Sequence, residues 1–283
     1  MPPDNQKSII AYCSPAGTTE HVAKVIERKL ESLGVDVTVL TLGRQFDLSP
    51  IFKEIEAGQE HLSLYIGSPV YASHAVPPVM DFISHLPESH EVFVVPFVTW
   101  GAVTSGIALY EMGKALIEKG YNLAGAAKVL AVHSIMWHWE TPYANGHPDA
   151  NDDGKIEELV SEVTGRIKKR SAKNIPLSRL AYHPPDILRA MEKRTFEKAI
   201  PDFPKRQINE TLCTQCGICS DVCPVDAITY SPRPAFGPHC IFCYNCIRHC
   251  PEGAIEGDFT PVKEHVKRRL RKVGEKAETR IFL

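Results

Sequence analysis

The sequence lacks several features that define other classes of protein. Its charges nearly balance, with 32 Lys and Arg against 34 Asp and Glu, so it has no basic excess for binding nucleic acid. No apolar run approaches the roughly 18 residues that a membrane-spanning helix needs. The first residues lack the charged start and the apolar stretch of a signal peptide. These absences predict a cytoplasmic protein without a membrane span and without a nucleic-acid partner.

Two common nucleotide-binding fingerprints are also missing. There is no Gly-x-Gly-x-x-Gly pattern, which disfavours direct use of NAD(P)H, and no Gly-Lys-Ser/Thr ending of a Walker loop. Disorder is excluded as the main state, because 43% of the residues are hydrophobic and the net charge is only -2. A length of 283 residues allows about two domains.

The cysteines are concentrated in one segment. Eight of the nine lie between Cys213 and Cys250, and Cys13 stands alone, where a small buried hydrophobe is the default interpretation. The eight form two runs with the spacing Cys-x2-Cys-x2-Cys-x3-Cys-Pro, and one constant shift along the chain carries Cys213 onto Cys240. The same shift carries Ala227 onto Ala254, so the segment is an internal duplication.

This spacing indicates iron–sulfur chemistry. Three cysteines at intervals of three wrap a loop around one face of a cubane, whereas the fourth, before a proline, points elsewhere. The alternative is a pair of four-cysteine zinc sites, but zinc ribbons need neither the third Cys-x2-Cys step nor the Cys-Pro ending. Residues 205–260 resemble bacterial two-cluster [4Fe–4S] ferredoxins. The resemblance implies exchanged fourth ligands, with Cys213, Cys216, Cys219 and Cys250 on cluster 1 and Cys240, Cys243, Cys246 and Cys223 on cluster 2.

The segment 1–170 alternates short apolar runs with helical patterns. Strands are predicted over 8–12, 35–40, 61–66, 92–97 and 128–132, with amphipathic helices between them and a last helix over 155–169. The alternation predicts a doubly wound five-stranded parallel sheet with helices on both faces. Such a sheet binds ligands at the carboxyl ends of its strands.

Three loops at those strand ends carry candidate ligand residues. The loop 14–19 has hydroxyls, a glycine and free amides at a helix start, which suits a phosphate. The loops 67–72 and 99–106 each place an aromatic residue among small residues, and such a ring can lie flat against a planar ligand. In this order the loops resemble those of a flavodoxin-like domain, although Ala16 stands where that family commonly has threonine, which removes a hydrogen bond of about 1 kcal/mol.

The resemblance implies FMN as a cofactor. The implied phosphate-binding residues are Ser14, Ala16, Gly17, Thr18 and Thr19. The implied isoalloxazine-binding residues are Pro69, Val70, Tyr71, Thr99, Trp100 and Gly101. As a whole, the chain resembles iron–sulfur flavoproteins in which a flavodoxin-like domain is fused to a small α+β two-cluster ferredoxin domain.

Four segments are predicted. They are a flavodoxin-like domain over 1–170, a linker over 171–207 with one helix after Asp186, a ferredoxin-like domain over 208–260, and a basic helical tail over 261–283. The aromatic loop 133–140 is interpreted as packing between domains; the alternatives are that it walls the flavin or gates a substrate such as a quinone. If the protein is a flavoenzyme, Trp137, His138 and Tyr143 would shape a substrate pocket. Acidic residues from Asp149 onward are expected to cap the last helix.

Two functions follow from this composition. The first is electron transfer to and from redox protein partners, with conversion between two-electron and one-electron steps. The second is a flavin-dependent oxidoreductase that reduces a quinone or another small organic acceptor with the clusters as a relay. A third, weaker option is a domain that has lost its flavin. Flavodoxin-like reductases often form dimers, so a homodimer is one expected assembly.

Overall fold

The computed structural model describes residues 6–44, 48–56, 61–230 and 232–283. The strands are β1 (Lys7–Tyr12), β2 (Asp36–Thr41), β3 (Ser63–Tyr71), β4 (His74–Ala75), β5 (Phe93–Trp100), β6 (Asn122–Leu123), β7 (Ala126–Leu130), β8 (Arg206–Ile208), β9 (Ile228–Tyr230), β10 (Pro234–Phe236), β11 (Ile255–Gly257) and β12 (Arg280–Phe282). The helices are α1 (Thr18–Ser32), α2 (Ser49–Glu56), α3 (Pro77–His85), α4 (Ala108–Glu118), α5 (Ala150–Lys168), α6 (Pro185–Lys193), α7 (Phe196–Ala199), α8 (Ile218–Asp221), α9 (Asn245–Arg248) and α10 (Thr260–Val273).

The main sheet has the strand order of a doubly wound fold. Five parallel strands lie in the order β2-β1-β3-β5-β7, which is the flavodoxin-like order 2-1-3-4-5. Both faces are covered, with one core beneath α1 and α5 and the other beneath α3 and α4. The predicted five-stranded parallel sheet is confirmed, and β4 and β6 add two short edge pairings.

The carboxyl-terminal segment extends this sheet. The predicted basic helix is present as α10, but the chain then continues into β12, which pairs antiparallel with β7. Phe282 is fully buried in the core of the sheet domain. The side chains of Lys128 and Glu275 form a buried ion pair that fastens the intervening turn. Sequence periodicity missed this strand because three residues are too few to show alternation.

Helix α5 begins five residues earlier than the periodicity indicates. Asp149 is its N-cap and accepts from the amides of Asn151 and Asp152, while the Asp152 carboxylate accepts from the Asp149 amide. This reciprocal pair is a capping box, so the prediction that acidic residues cap the last helix is confirmed. The same acidic residues imitate the start of a calcium loop, but the helical backbone here cannot form one.

The cysteine-rich segment shows its duplication in three dimensions. The shift that carries Cys213 onto Cys240 also carries α8 onto α9 and β9 onto β11. It likewise carries Gln215 onto Phe242, and both adopt the left-handed conformation with φ of 60° and 56°. Strands β8 and β11 form one antiparallel pair, and β9 and β10 form the other. Repeated cysteine spacing therefore produces repeated backbone geometry.

The segment 171–207 packs on both domains. The predicted helix is present as α6, but it begins at Pro185, slightly before the predicted start after Asp186. Leu180 and Phe196 are buried in the core of the sheet domain, and the Tyr244 hydroxyl of the cysteine-rich segment donates to the carbonyl of Pro204. Within the described ranges, every helix is too short or too polar to cross a bilayer.

Candidate functional site

A cleft of about 630 Å³ opens at the carboxyl ends of the parallel strands. This volume lies within the range of roughly 300–1,000 Å³ that small-ligand sites occupy. Nine of the eleven residues that the flavodoxin resemblance implies line it, namely Ala16, Thr18, Thr19, Pro69, Val70, Tyr71, Thr99, Trp100 and Gly101. Ser14 and Gly17 belong to the same loop but do not line the cleft.

The loop 14–19 presents backbone donors to the cleft. Gly17 adopts φ of 84°, a conformation that a residue with a Cβ reaches only with strain, and it turns the chain into α1. The amides of Ala16, Thr18 and Thr19 meet no acceptor in the described chain. Free amides at a helix start, together with the positive end of the helix dipole, make a cradle for a phosphate.

Two hydrogen bonds hold this loop in place. The Ser14 hydroxyl accepts from the amide of Glu20, in the first turn of α1, at 2.9 Å, and Ser14 does not line the cleft. The Thr19 and Thr99 hydroxyls are 2.8 Å apart in a buried contact. This second bond couples the candidate phosphate loop to the third ligand loop, so the two loops are positioned together.

Three buried polar atoms on cleft-lining residues fit a polar planar ligand. The Tyr71 hydroxyl, Trp100 Nε1 and His133 Nδ1 have no hydrogen-bond partner among the described residues. Burial lowers the pKa of His133 to about 4, so its ring is neutral near pH 7. The Trp100 ring is only 2% exposed and packs beneath the ammonium of Lys128 at 4.8 Å. The ring is therefore held in place by burial, and Trp100 still lines the cleft.

The eight clustered cysteines surround two small cavities. An outer cysteine cavity is lined by Cys213, Cys216, Cys219 and Cys250. An inner cysteine cavity is lined by Cys223, Cys240, Cys243 and Cys246. In each cavity three cysteines come from one run and the fourth comes from the other, which is the arrangement that the ferredoxin resemblance implies.

The two cavities differ in exposure. Cys216 of the outer cavity is exposed, whereas Cys223, Cys240 and Cys246 of the inner cavity are buried. Burial raises the pKa of the Cys243 thiol to about 12, so a thiolate there requires a bound cation such as iron. Cys13, buried behind the phosphate loop, also has its pKa raised to about 12 by burial and then by Cys243. Cys13 is thus a neutral thiol in the core.

Hydrogen bonds converge on the cysteine sulfurs. The Ala227 and Ala254 amides donate to Cys223 and Cys250 sulfurs, each at 3.2 Å, so the duplication extends to these contacts. Donors that the sequence pattern did not reveal also reach the sulfurs. Arg206 Nη1 donates to Cys240 Sγ at 2.8 Å. The Tyr230 hydroxyl lies 2.8 Å from Cys219 Sγ. Such donors tune cluster potentials.

Close contacts join the cysteine-rich segment to the sheet domain. Asn245 Nδ2 donates to the carbonyl of Pro15 at 2.7 Å, beside the candidate phosphate loop. Arg44 donates to the carbonyl of Cys223 at 3.3 Å and 3.2 Å. A Cβ on Gly43 would lie 2.2 Å from the Pro224 carbonyl oxygen, so only glycine allows this approach. These contacts hold the inner cysteine cavity against the ligand cleft.

The aromatic loop has two parts: residues 133–135 line the cleft, and the rings that follow them pack against other aromatic residues. Trp137 lies 6.3 Å from Tyr244 in a stacked arrangement and 5.0 Å from Phe259 edge-on. His138 accepts from the indole of Trp139 at 3.1 Å. Neither Trp137, His138 nor Tyr143 lines the cleft. The packing interpretation therefore agrees with the contacts of Trp137 and His138, which pack on Tyr244 and Phe259. The substrate pocket formed by Trp137, His138 and Tyr143 stays a prediction.

Comparison with known proteins identifies the cysteine-rich part. Residues 206–229 match a family model described as a 4Fe-4S binding domain. No curated protein matched the sequence. The matched segment contains the whole first cysteine run and one member of the inner cavity, Cys223. The chain therefore contains a 4Fe–4S binding domain.

Several solved structures match the sheet domain. A flavodoxin from the domain Archaea is 18% identical and covers 58% of this chain and 99% of its own, with a TM-score of 0.42. Flavodoxin 2 from Bacillus cereus is 17% identical and covers 56% and 99%, with a TM-score of 0.42. Rubredoxin oxygen:oxidoreductase from Desulfovibrio gigas is 15% identical and covers 60% and 38%, with a TM-score of 0.42.

The strand order carries the fold assignment, since these identities and TM-scores are low. The order β2-β1-β3-β5-β7 is that of flavodoxin-like folds. The protein thus combines a flavodoxin-like α/β domain with a 4Fe–4S binding domain.

Proposed function

We propose that the protein transfers electrons between FMN in the ligand cleft and two [4Fe–4S] clusters in the cysteine cavities. When bound, FMN exchanges one or two electrons and each cluster exchanges one, so together they convert between two-electron and one-electron steps. The ligands are Cys213, Cys216, Cys219 and Cys250 for the outer cluster. They are Cys240, Cys243, Cys246 and Cys223 for the inner cluster.

One observation carries this proposal. Cys243 lines both the inner cysteine cavity and the ligand cleft, and Tyr244 lines both as well. A ligand to the inner cluster therefore stands at the wall of the flavin site, with no separate layer of protein between the two cavities. Contact of this kind suits electron transfer, which needs short distances and no atomic rearrangement.

The residues around these cavities perform distinct tasks. The free amides of Ala16, Thr18 and Thr19 bind the FMN phosphate. The neutral ring of His133 offers a hydrogen-bond partner to the flavin, because burial keeps its pKa low. The exposed Cys216 places the outer cavity at the surface, where protein partners can reach it. Two of the large exposed hydrophobic side chains, Leu212 and Tyr230, flank that cavity.

Cofactor analysis tests the proposal directly. After anaerobic purification we expect one FMN and the iron of two cubane clusters per chain, and no zinc. A colourless protein that contains zinc would refute it. Exchanged ligands predict that Cys250→Ala removes the outer cluster and leaves the inner one, although Cys250 lies in the second run.

A pair of cysteine variants tests the contact between cluster and flavin. Cys243→Ala is expected to keep FMN but to stop reduction of the flavin by a reduced ferredoxin used as donor. Cys13→Ala is the matched control, since Cys13 is also buried and lies near Cys243 but lines neither cysteine cavity. Equal rates of flavin reduction in the two variants would show that electrons bypass the inner cavity.

A second function is favoured by the size of the cleft. Its lining continues past the three flavin loops to residues 194–205 and 258–269. This extension leaves room for a small organic acceptor next to the flavin. Turnover of such an acceptor without any protein partner would support this oxidoreductase function over electron transfer alone.

A further inference from the structure

The ligand cleft has a second half that the flavodoxin-like sheet does not build. Its walls come from the segment before β8 and from the segment around α10, and we call this part the cationic half. The charged residues that line it are Arg194, Asp202, Lys205, Asp258, His265, Arg268 and Arg269.

The cationic half has a net positive charge. Of its two carboxylates, Asp202 is paired with Arg194. The other, Asp258, accepts from the amide of Thr260, the first residue of α10. Lys205, Arg268 and Arg269 form no ion pair with a carboxylate within the described ranges. Three cations without an ion-pair partner therefore face one cleft, against the single unpaired carboxylate of Asp258.

Arg269 is held towards the flavin loops. Its Nη2 donates to the Ser73 hydroxyl at 2.8 Å, and Ser73 follows the second flavin loop directly. Burial and then the nearby Arg194 lower the pKa of Arg269. Burial and then Arg194, Arg268 and Arg269 lower the pKa of His265. Burial is the larger cause of both pKa shifts, and repulsion between these cations adds to it; a bound anion would offset the repulsion.

The same half has an apolar wall. Phe203, Val262 and Val266 line it beside the cations, and Phe242 joins them from the cysteine-rich segment. Apolar walls with a few convergent polar groups are typical of sites for small organic molecules. Guanidinium groups bind carboxylates and phosphates through paired hydrogen bonds. The wall and the arginines together favour an organic anion over an inorganic one.

We propose that the cationic half binds a small organic molecule with a carboxylate or phosphate group, next to the flavin loops. This inference rests on the proposed function, which assigns the loop half of the cleft to FMN. Binding of the anion itself requires no electron transfer, so it is measured separately from redox activity.

Calorimetry on the anaerobic holoprotein tests this site with three probes of similar shape. Benzoate and phenyl phosphate carry the two anionic groups, and benzamide is the neutral control. We expect at least one anion to bind at least about tenfold more tightly than benzamide, and its affinity to fall as ionic strength rises. Whichever anion binds more tightly identifies the group that the site prefers.

Variants on α10 locate the effect. Arg269→Gln is expected to weaken binding of the preferred anion about tenfold or more, and Arg269→Lys to restore part of it. Arg271→Gln is the matched control, because Arg271 is exposed on the same helix and does not line the cleft. We expect Arg271→Gln to bind the preferred anion as tightly as the unmodified protein does.

Four outcomes would overturn the inference. In the unmodified protein, these are that neither anion binds or that benzamide binds as tightly as the anions. In the variant, they are that Arg269→Gln binds the anion as tightly as the unmodified protein, or that Arg269→Gln loses FMN and keeps its affinity for the anion. FMN and iron are quantified on the same samples. Missing FMN in the unmodified protein would count against the proposed function, whereas a full holoprotein that ignores the anions would count only against this site.

Discussion

Arg206 offers a direct test of how the protein would set the potential of the proposed inner cluster. Its Nη1 donates to Cys240 Sγ at 2.8 Å, and its guanidinium lies over the rings of Phe236 at 4.2 Å and Phe242 at 5.0 Å. A cationic donor stabilises the more negative, reduced state of a cluster more than the oxidised state. Arg206→Gln is therefore expected to lower the reduction potential of the inner cluster.

The magnitude follows from the strength of this bond. A hydrogen bond to a charged group contributes about 1.5–3 kcal/mol. If about half of it differs between the two oxidation states, the change is about 0.7–1.5 kcal/mol. Because a tenfold change in equilibrium constant is about 59 mV for one electron, we expect a fall of roughly 30–60 mV.

A redox titration followed by electron paramagnetic resonance measures this shift. Arg206→Lys separates the effect of the charge from that of the hydrogen bond. We expect it to shift the reduction potential less than Arg206→Gln does, since lysine keeps the positive charge. Tyr230→Phe is the control for location, because the Tyr230 hydroxyl contacts Cys219 in the outer cavity. Tyr230→Phe should therefore shift the reduction potential of the outer cluster and not that of the inner cluster. An unchanged potential in Arg206→Gln with full iron content would refute the reasoning.

Three further predictions concern stability. Asp149→Ala removes the capping box of α5 and should lower the free energy of unfolding in urea by about 1 kcal/mol, with FMN content unchanged; an unaltered midpoint would contradict it. Lys128→Met leaves the buried Glu275 carboxylate without its cation, and we expect a loss of about 3 kcal/mol in the same assay; a loss below about 1 kcal/mol would argue against a paired charge. Burial lowers the pKa of His74, but the ion pair with Glu111 outweighs burial and raises it. The stability that this ion pair contributes is therefore complete below pH 6.5 and is lost as the pH rises through the folded-state pKa of His74. Glu111→Gln should abolish this pH dependence of stability.

The parts of the fold that could be predicted are those with local, repeated signals. Strand and helix alternation over the segment 1–170 predicted the five parallel strands, because buried strands and amphipathic helices have distinct periods. The apolar positions Val22, Ile26 and Leu30 are all fully buried on one face of α1. The cysteine spacing likewise predicted the duplication, since the same pattern of four cysteines within eleven residues occurs twice.

What could not be predicted are contacts between residues that lie far apart in the chain. Arg206 and Arg44 resemble ordinary surface cations in the sequence, yet one reaches a cysteine sulfur and the other the carbonyl of Cys223. No local pattern distinguishes such arginines from solvated ones, because their role depends on where the cysteine-rich segment docks. The cationic half of the cleft has the same origin, since Arg194 and Arg269 meet only when the linker and α10 fold over the sheet.

The docking of the cysteine-rich segment on the sheet domain also explains why the two cysteine cavities have unequal surroundings despite their duplicated sequence. The second run lies against the phosphate loop through Asn245, whereas the equivalent position in the first run, Ile218, has no such contact. Burial of the inner cavity and exposure of Cys216 follow from that asymmetry. If this contact sets the asymmetry, Asn245→Ala should increase solvent access to the inner cluster and speed its loss to an iron chelator, while loss of the outer cluster keeps its rate. Equal acceleration at both clusters would show instead that the substitution loosens the whole segment.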